Sequence, residues 1–274
     1  MTILITGGRG KIARALAAGL VSGGRDVRIA SRSPQDLPGA VSWDFENPSS
    51  LTAALDGITQ VFLYAEPSTA GVFAAAADAA GVRQVVLLSS MSSQADNDEA
   101  AGDPHAETEV LVGSGSYATT YLQPGAFMTN ALFWSHSIRA TGQVRLPYLE
   151  AEEAPIHEQD IADVAVRVLL DGPGGEHDGR GYPLTGPESM TRRAQLAQVT
   201  EITGASFEAV DLTADEARVE MSALGRPAQV EALLAYWSSR VGSPHPIEPA
   251  VEKLTGRSGR TFRTWLADHP GVFA

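Results

Sequence analysis

The feature that most constrains the fold is the regular alternation of short apolar segments with helical ones over residues 1–125. Apolar segments typical of buried strands cover residues 2–6, 27–30, 41–44, 61–64, 85–89 and 118–122. After the first of them, Ile12, Leu16 and Leu20 share one face of a helix. Further helical patterns cover residues 48–55, 69–80 and 105–112. Strands that alternate with helices predict βαβ units, and therefore an α/β, Rossmann-type, doubly wound parallel sheet.

The pattern loosens after residue 125. It predicts helices over residues 127–140, 159–170, 192–203, 214–224, 227–241 and 247–254, with strands at 142–149 and 182–185. We therefore predict an NAD(P)-binding core over residues 1–125. Residues 126–274 are predicted to form a small, mainly helical substrate-binding lid, interleaved with that core. Open α/β sheets bind ligands at the carboxyl ends of their strands, and we expect the lid to cover that edge.

Composition excludes several classes of function. The 33 acidic and 20 basic side chains give a formal net charge of −13, which argues against a nucleic-acid partner, because affinity for DNA or RNA rests on Lys and Arg. There is no cysteine, so disulfides, thiolate nucleophiles and Cys-based metal sites are excluded. No metal-ligand motif is present, and we expect no metal. Without an apolar run of roughly 18 residues or a secretory leader, we expect no membrane contact and a cytoplasmic location.

A glycine-rich turn follows the first strand and opens the first helix. Glycine lets the backbone bend tightly and approach a pyrophosphate, and the helix N-terminus favours a bound anion. A glycine-rich turn alone is a weak signal, since tight turns also use Gly for steric reasons, but its strand-to-helix context favours a dinucleotide. The predicted cofactor-binding residues of this turn are Thr6, Gly7, Arg9, Gly10, Lys11 and Ile12.

The end of the second strand indicates which nicotinamide cofactor binds. An NAD site needs Asp or Glu there for the ribose hydroxyls. This sequence has Ser31 and Arg32 instead. Arg32, assisted by Arg9, can pair with a 2′-phosphate through charge-assisted hydrogen bonds. The alternative is that both arginines are simply solvated. We predict NADP(H).

With these residues in place, the sequence resembles the NmrA-like group of atypical short-chain dehydrogenases/reductases. The resemblance spans essentially the whole chain and rests on the order and spacing of several segments. These are residues 6–13, Arg32, 44–45, 88–90, 123–130, 156–165 and 182–188.

The resemblance implies roles for further residues. Asp44 and Phe45 would lie near the adenine, and Tyr64, Ala65 and Glu66 would border the nicotinamide ribose. After the fifth strand it implies a cofactor contact for Ser89 and substrate contacts for Ser90 and Met91.

One departure from ordinary short-chain dehydrogenases concerns catalysis. Those enzymes use a Tyr and a Lys four residues later, whereas the matching helix here carries His105 and Glu109. The surrounding run is similar to that of bacterial NAD(P)H:quinone oxidoreductases, whose acceptors need less proton assistance than a ketone. One helical turn apart, the Glu109 carboxylate could orient His105 as a catalytic acid. The alternative is a surface histidine with a solvated partner.

Aromatic residues concentrate in the later part of the chain, where core packing is their ordinary role. Phe127 and Trp134 are better candidates for a substrate pocket, because they follow directly on the sixth strand. A pocket lined by such rings favours a flat, apolar substrate.

Together these features predict an NADPH-dependent oxidoreductase that passes hydride to a quinone-like or conjugated carbonyl acceptor, including an aromatic polyketide. One alternative is a non-catalytic NADP(H) sensor that regulates a partner protein. Another is a tailoring enzyme of secondary metabolism with narrow ketone or alkene reduction, or with non-redox chemistry, since fold does not fix reaction. A homodimer is compatible with each of these three functions.

Overall fold

The computed structural model describes residues 2–94, 103–222, 227–269 and 271–273. The chain forms two compact units. The first consists of Met1–Gly125, Glu158–Leu184 and Pro249–Ser258, and the second of Ala126–His157, Thr185–Glu248 and Gly259–Ala274. The first unit thus takes up two later segments of the chain. The assignment of residues 1–125 to cofactor and 126–274 to substrate stays a prediction.

The strands, in chain order, are β1 (Thr2–Ile5), β2 (Asp26–Ser31), β3 (Val41–Ser42), β4 (Ile58–Tyr64), β5 (Gln84–Leu88), β6 (Ala118–Pro124), β7 (Gln143–Pro147), β8 (Glu152–Glu153), β9 (Gly181–Leu184), β10 (Met190–Thr191) and β11 (Glu208–Leu212). The α-helices are α1 (Lys11–Ser22), α2 (Pro48–Leu55), α3 (Pro67–Ala80), α4 (Pro104–Gly113), α5 (Ala131–Thr141), α6 (Glu158–Asp171), α7 (Arg192–Thr203), α8 (Ala214–Met221), α9 (Pro227–Ser239), α10 (Ala250–Thr255) and α11 (Phe262–Asp268).

The first unit is built on a parallel sheet with the strand order β3-β2-β1-β4-β5-β6-β9. Alternate residues of a strand point to opposite faces. Leu4, Leu63 and Leu87 share a buried cluster with residues of α2, α3 and α4, while their neighbours Ile3, Phe62 and Val86 are buried outside this cluster. The predicted α/β Rossmann-type sheet is confirmed. The direction of winding reverses between β1 and β4, and ligands of such sheets bind at this reversal.

The second unit holds the mainly helical part of the chain. β8 and β10 pair antiparallel, and β7 and β11 pair parallel. Its core is aromatic: the rings of Phe262 and Trp265 stack with their centroids 5.8 Å apart, and Trp134 meets Phe262 edge-on at 6.4 Å. All three side chains are at least nine-tenths buried.

The structure corrects the predicted elements mainly after residue 125. The predicted helix 127–140 is a short 3₁₀ turn, Met128–Asn130, followed by α5. Three strands, β8, β10 and β11, were not predicted, because β8 and β10 have two residues each and β11 mixes acidic and apolar side chains. The helix α11 was not predicted either. The predicted helix 247–254 begins later, since Pro249 caps α10. The predicted helix 214–224 ends at Met221 as α8, and residues 223–224 lie outside the described residues.

In the described part of the chain, no helix combines the length and apolar character needed to cross a membrane.

Candidate functional site

A cavity of about 560 Å³ opens in the first unit, where β1, β2 and β4 end. Its lining comes from the segments that follow these three strands, from the segment after β3, and from the first turn of α3. The lining residues are Thr6, Gly7, Arg9, Ser31, Arg32, Ser33, Trp43, Phe45, Tyr64, Ala65, Glu66 and Thr69. Nine of the predicted cofactor-binding residues therefore meet around one cavity, at the reversal point of the sheet.

The glycine turn after β1 lies against an aromatic ring. Gly7 has φ +65°, and a Cβ there would come within 2.6 Å of Tyr64 Cδ2. A Cβ on Gly8 would lie 2.2 Å from Ile29 Cγ2, while one on Gly10 would lie 3.4 Å from the Tyr64 hydroxyl. A Cβ at Gly7 or Gly8 would clash with the side chain of Tyr64 or Ile29, so glycine is what lets the turn pack this closely. Gly10 also begins α1 without a side-chain cap, as expected of a helix N-terminus that receives an anion.

Thr6 joins the ends of β1 and β4. Its buried hydroxyl donates to the Phe62 carbonyl at 3.3 Å and accepts the Tyr64 backbone N–H at 2.7 Å. Burial raises the pKa of Tyr64 to about 12. The phenol is therefore a neutral hydrogen-bond donor over the whole physiological pH range, and its oxygen lies beside the glycine turn.

The cationic edge of the cavity contains two arginines in different states. Arg9 forms an ion pair with Asp36 and donates to the Ser33 carbonyl at 3.4 Å. Arg32 is exposed and has no hydrogen bond or ion pair to any described residue. Its guanidinium donors are therefore available to a ligand. Ser31 is buried and accepts the Ser33 N–H at 3.1 Å, which fixes the turn that presents Arg32.

An aromatic wall forms another part of the lining. Trp43 is buried and meets Phe45 edge-on, with ring centroids 5.6 Å apart. Asp44, between them, accepts the Glu46 N–H at 3.0 Å through its carboxylate. Trp43, Ser33 and Thr69 line the cavity but were not predicted from the sequence. Thr69 could have been found from its spacing to Glu66, because the two form a capping box at the start of α3.

Other predicted cofactor residues lie around the first turn of α1 and after β5. Lys11 Nζ is 3.5 Å from the Glu158 carboxylate, and Ile12 is buried in the core. Ser89 is buried just beyond the end of β5. Their predicted contacts with the cofactor stay predictions.

A polar cluster lies where β5 and β6 end. The Glu109 carboxylate accepts hydrogen bonds from the hydroxyls of Ser89 and Ser93, the latter at 2.7 Å, and from Gln123 Nε2 at 2.9 Å. Gln94 Nε2 in turn donates to Gln123 Oε1 at 2.7 Å. Glu109 therefore fastens the turn after β5 to α4.

His105 faces different partners from those that we expected. Its Nδ1 lies 3.3 Å from Ser92 Oγ and 3.5 Å from Asp103 Oδ1. The predicted pairing with Glu109 is wrong, because that carboxylate points to the ends of β5 and β6. The catalytic role of His105 stays a prediction.

The predicted substrate residues fall in both units. Ser90 and Met91 are half-buried residues of the turn after β5 in the first unit. Phe127 is half-buried in the second unit and pairs through its backbone with Ile156. Trp134 belongs to the aromatic core of that unit. Their contacts with a substrate stay predictions.

The cavity fits a dinucleotide on its own geometry. The glycine turn brings backbone without a side chain to the cavity wall at Gly7, Arg32 offers a cation with no partner among the described residues, and Trp43 and Phe45 offer apolar ring surface. Fold and site together define a Rossmann-type dinucleotide-binding protein.

Comparison with known proteins defines the class further. A family model described as NAD(P)H-binding matches residues 7–172. The chain belongs to this NAD(P)H-binding family, and the nicotinamide cofactor predicted from the sequence is confirmed, as is the resemblance to atypical short-chain dehydrogenases/reductases.

Two of the relatives are named as reductases. The chain is 36% identical to a (4-alkanoyl-5-oxo-2,5-dihydrofuran-3-yl)methyl phosphate reductase of Streptomyces griseus, with 99% of each chain covered. It is 30% identical to an NAD(P)H azoreductase of Xenophilus azovorans over 84% of this chain and 82% of the relative. An Escherichia coli NADPH-dependent quinone oxidoreductase, solved with NADPH, has the same fold: TM-score 0.77, 21% identity, 97% of this chain and 99% of that chain covered. The protein is an NAD(P)H-dependent oxidoreductase.

Proposed function

We propose that this protein uses NADPH to reduce the C=C bond of a conjugated carbonyl compound, such as an acyl-substituted unsaturated lactone. The observation that carries the cofactor choice is Arg32, an exposed arginine of the cavity with no partner among the described residues. The relative that is 36% identical over the full chain supports the acceptor class. Its name describes a ring C=C bond conjugated to both a lactone carbonyl and an acyl carbonyl.

The preference for NADPH follows from the charges at the end of β2. No acidic side chain stands at Ser31 or Arg32, so nothing there replaces the ribose-binding carboxylate of an NAD site. The Arg32 guanidinium can form two parallel hydrogen bonds to a 2′-phosphate, and Arg9 lies at the same edge of the cavity. Asp36 neutralises Arg9 in part, which leaves Arg32 as the main determinant.

The residues around the glycine turn would hold the rest of the cofactor. Backbone groups at Gly7 and Gly10 would contact the pyrophosphate, and Tyr64, Ala65 and Glu66 would border the nicotinamide ribose. When bound, NADPH supplies hydride from its nicotinamide ring. The chain's task is then to bind and orient the acceptor and to supply one proton.

An electron-poor acceptor suits this site because the site has His105 and Glu109 in place of the Tyr/Lys pair of ordinary short-chain dehydrogenases. Glu109 stands where the lysine would be, and it is an acceptor held by three donors. It cannot supply the positive charge that lowers a tyrosine pKa. A conjugated carbonyl or a quinone spreads the charge delivered by hydride and needs less proton assistance than a simple ketone.

The test is turnover with a defined acceptor panel. Purified protein with NADPH or NADH would be mixed with a 2-acyl butenolide, a benzoquinone, an azo dye and a saturated ketone. We expect loss of reduced-nicotinamide absorbance with the butenolide, faster with NADPH, and a product heavier by two hydrogen atoms. Reduction of the saturated ketone alone would contradict the proposal. Tight cofactor binding with no turnover on any acceptor would instead favour the sensor.

A further inference from the structure

The hydroxyl of Ser90 accepts two hydrogen bonds from one neighbour. Ser92 donates to Ser90 Oγ through its backbone N–H at 3.2 Å and through its own hydroxyl at 3.0 Å. A serine oxygen has two acceptor lone pairs and one proton to donate. With the Ser92 N–H and hydroxyl as its two donors, the Ser90 hydroxyl keeps its own proton to donate to another group.

The chain of donors extends to a histidine. The Ser92 hydroxyl donates a hydrogen bond to Ser90, so its oxygen can accept one from another group. His105 Nδ1 lies 3.3 Å from this oxygen. Asp103 Oδ1 lies 3.5 Å from the same nitrogen. The His105 side chain is 46% exposed, so solvent reaches its ring. A continuous hydrogen-bonded chain therefore connects His105 through Ser92 to Ser90, and it can carry a proton to Ser90 when His105 Nδ1 is the donor.

Ser89, the preceding residue, has a different hydrogen-bond partner. Its hydroxyl is committed to the Glu109 carboxylate. Ser93 donates to the Ser90 carbonyl through both its backbone N–H, at 3.2 Å, and its hydroxyl, at 2.7 Å. These contacts fix the backbone at Ser90, so its hydroxyl is held in place as well as oriented.

Ser90 also lies at the end of the sheet where the cavity opens, beyond the carboxyl end of β5. In the β4–β5 register, Leu88 pairs with Tyr64, and Tyr64 lines the cavity. Ser90 follows two residues after that pair, at the carboxyl ends of the strands, where this class of sheet binds its ligands.

We infer that Ser90 is the proton donor to the reduced acceptor, and that Ser92 and His105 are positioning residues that orient and resupply its proton. The inference rests on the proposed function. Hydride from NADPH adds to the β-carbon of the acceptor, the C=C electron pair moves to the carbonyl, and the enolate forms. The Ser90 proton passes to the enolate, Ser90 is reprotonated by Ser92, Ser92 by His105, and His105 by solvent. The sum consumes one NADPH and one proton and yields NADP⁺ and the saturated product.

The test compares two acceptors in the same variants. Ser90→Ala, Ser92→Ala and Ser92→Thr would be assayed with a butenolide and with a benzoquinone at saturating NADPH. A hydroquinone anion is stabilised by its aromatic ring, so its formation depends less on the donor. We expect Ser90→Ala to lower kcat on the butenolide by roughly 100-fold, as removal of a general acid does, and on the quinone by less than about tenfold. Ser92→Ala should show a smaller loss with the same bias, and Ser92→Thr should restore most of it.

A second readout needs no turnover. The phenolate of 4-nitrophenol imitates the enolate oxygen, and its binding to the NADP⁺ complex can be followed by absorbance. Loss of the Ser90 hydroxyl should weaken this binding by about tenfold or more, since a hydrogen bond to a charged oxygen is lost. Ser114→Ala, at the exposed far end of α4, is the matched control and should change neither readout.

The outcomes separate the two proposals. If the wild-type protein reduces neither acceptor, the proposed function fails, and this inference fails with it. If the wild type turns over but Ser90→Ala lowers both rates equally, or neither, the inference alone is refuted. If Ser90→Ala does not fold, the Ser92 variants still test the relay, because Ser92 is exposed and its replacement should be tolerated. A loss of butenolide turnover in Ser92→Ala that Ser92→Thr does not restore would also overturn the relay.

Discussion

Replacing Arg32 by alanine should convert the cofactor site from one that prefers NADPH to one that binds both cofactors alike. In the structure, Arg32 lines the cavity with no partner among the described residues. Its loss therefore breaks no hydrogen bond or ion pair among the described residues, and a change in affinity reports the contact with the ligand.

The magnitude follows from the exposure of the side chain. A hydrogen bond to a charged group contributes about 1.5–3 kcal/mol, and about 1.4 kcal/mol corresponds to a tenfold change in Kd. Because Arg32 is exposed, solvent and salt screen its interaction, and the lower end applies. We expect Arg32→Ala to raise the Kd of NADPH roughly tenfold at low ionic strength, with a smaller effect in high salt. The Kd of NADH should not change.

The assay is titration calorimetry with NADPH and NADH at two ionic strengths. Arg32→Lys keeps the charge but loses the planar pair of donors, so it should fall between wild type and alanine. Arg83→Ala is the control, since Arg83 is an equally exposed arginine before β5, at the other end of the strands. Equal weakening of NADPH and NADH by Arg32→Ala, or the same effect with Arg83→Ala, would refute the argument.

Three further changes test other parts of the structure. Gly7→Ala adds a Cβ at φ +65° and 2.6 Å from Tyr64 Cδ2, so it should abolish binding of both cofactors in the same titration. Asp36→Asn removes the carboxylate that pairs with Arg9 and should tighten NADPH by a few-fold, with NADH as the unaffected reference; weaker NADPH binding would mean that Asp36 orients Arg9. Trp265→Ala empties a fully buried position and should lower the free energy of unfolding by about 3–5 kcal/mol in urea titrations; a loss below 1 kcal/mol would contradict the assigned core.

Much of the first unit could be predicted from local patterns. The strand–glycine turn–helix at the start and the alternation that follows depend on neighbours in the sequence, and they led to the parallel sheet. The same holds for Arg32, because it directly follows β2, and the carboxyl end of the second strand is where this class of fold binds the ribose. The exact agreement for α2 and α7 has the same origin, since each has its own start signal.

Contacts between distant segments could not be predicted in this way. The sequence places Glu109 one turn from His105, but the folded chain brings Ser89, Ser93 and Gln123 to that carboxylate instead. A side chain takes the partners that several elements bring within hydrogen-bond distance, and helical spacing describes only one of them. The Arg9–Asp36 ion pair arises in the same way.

The sequence by itself thus determined the class of fold, the glycine turn and the cation at the end of β2, because each depends on a local run of residues. The tertiary structure decided which of two arginines is paired with a carboxylate and which of two adjacent serines is held by Glu109. Both decisions depend on long-range hydrogen bonds and charges, which form only when the ends of the strands meet.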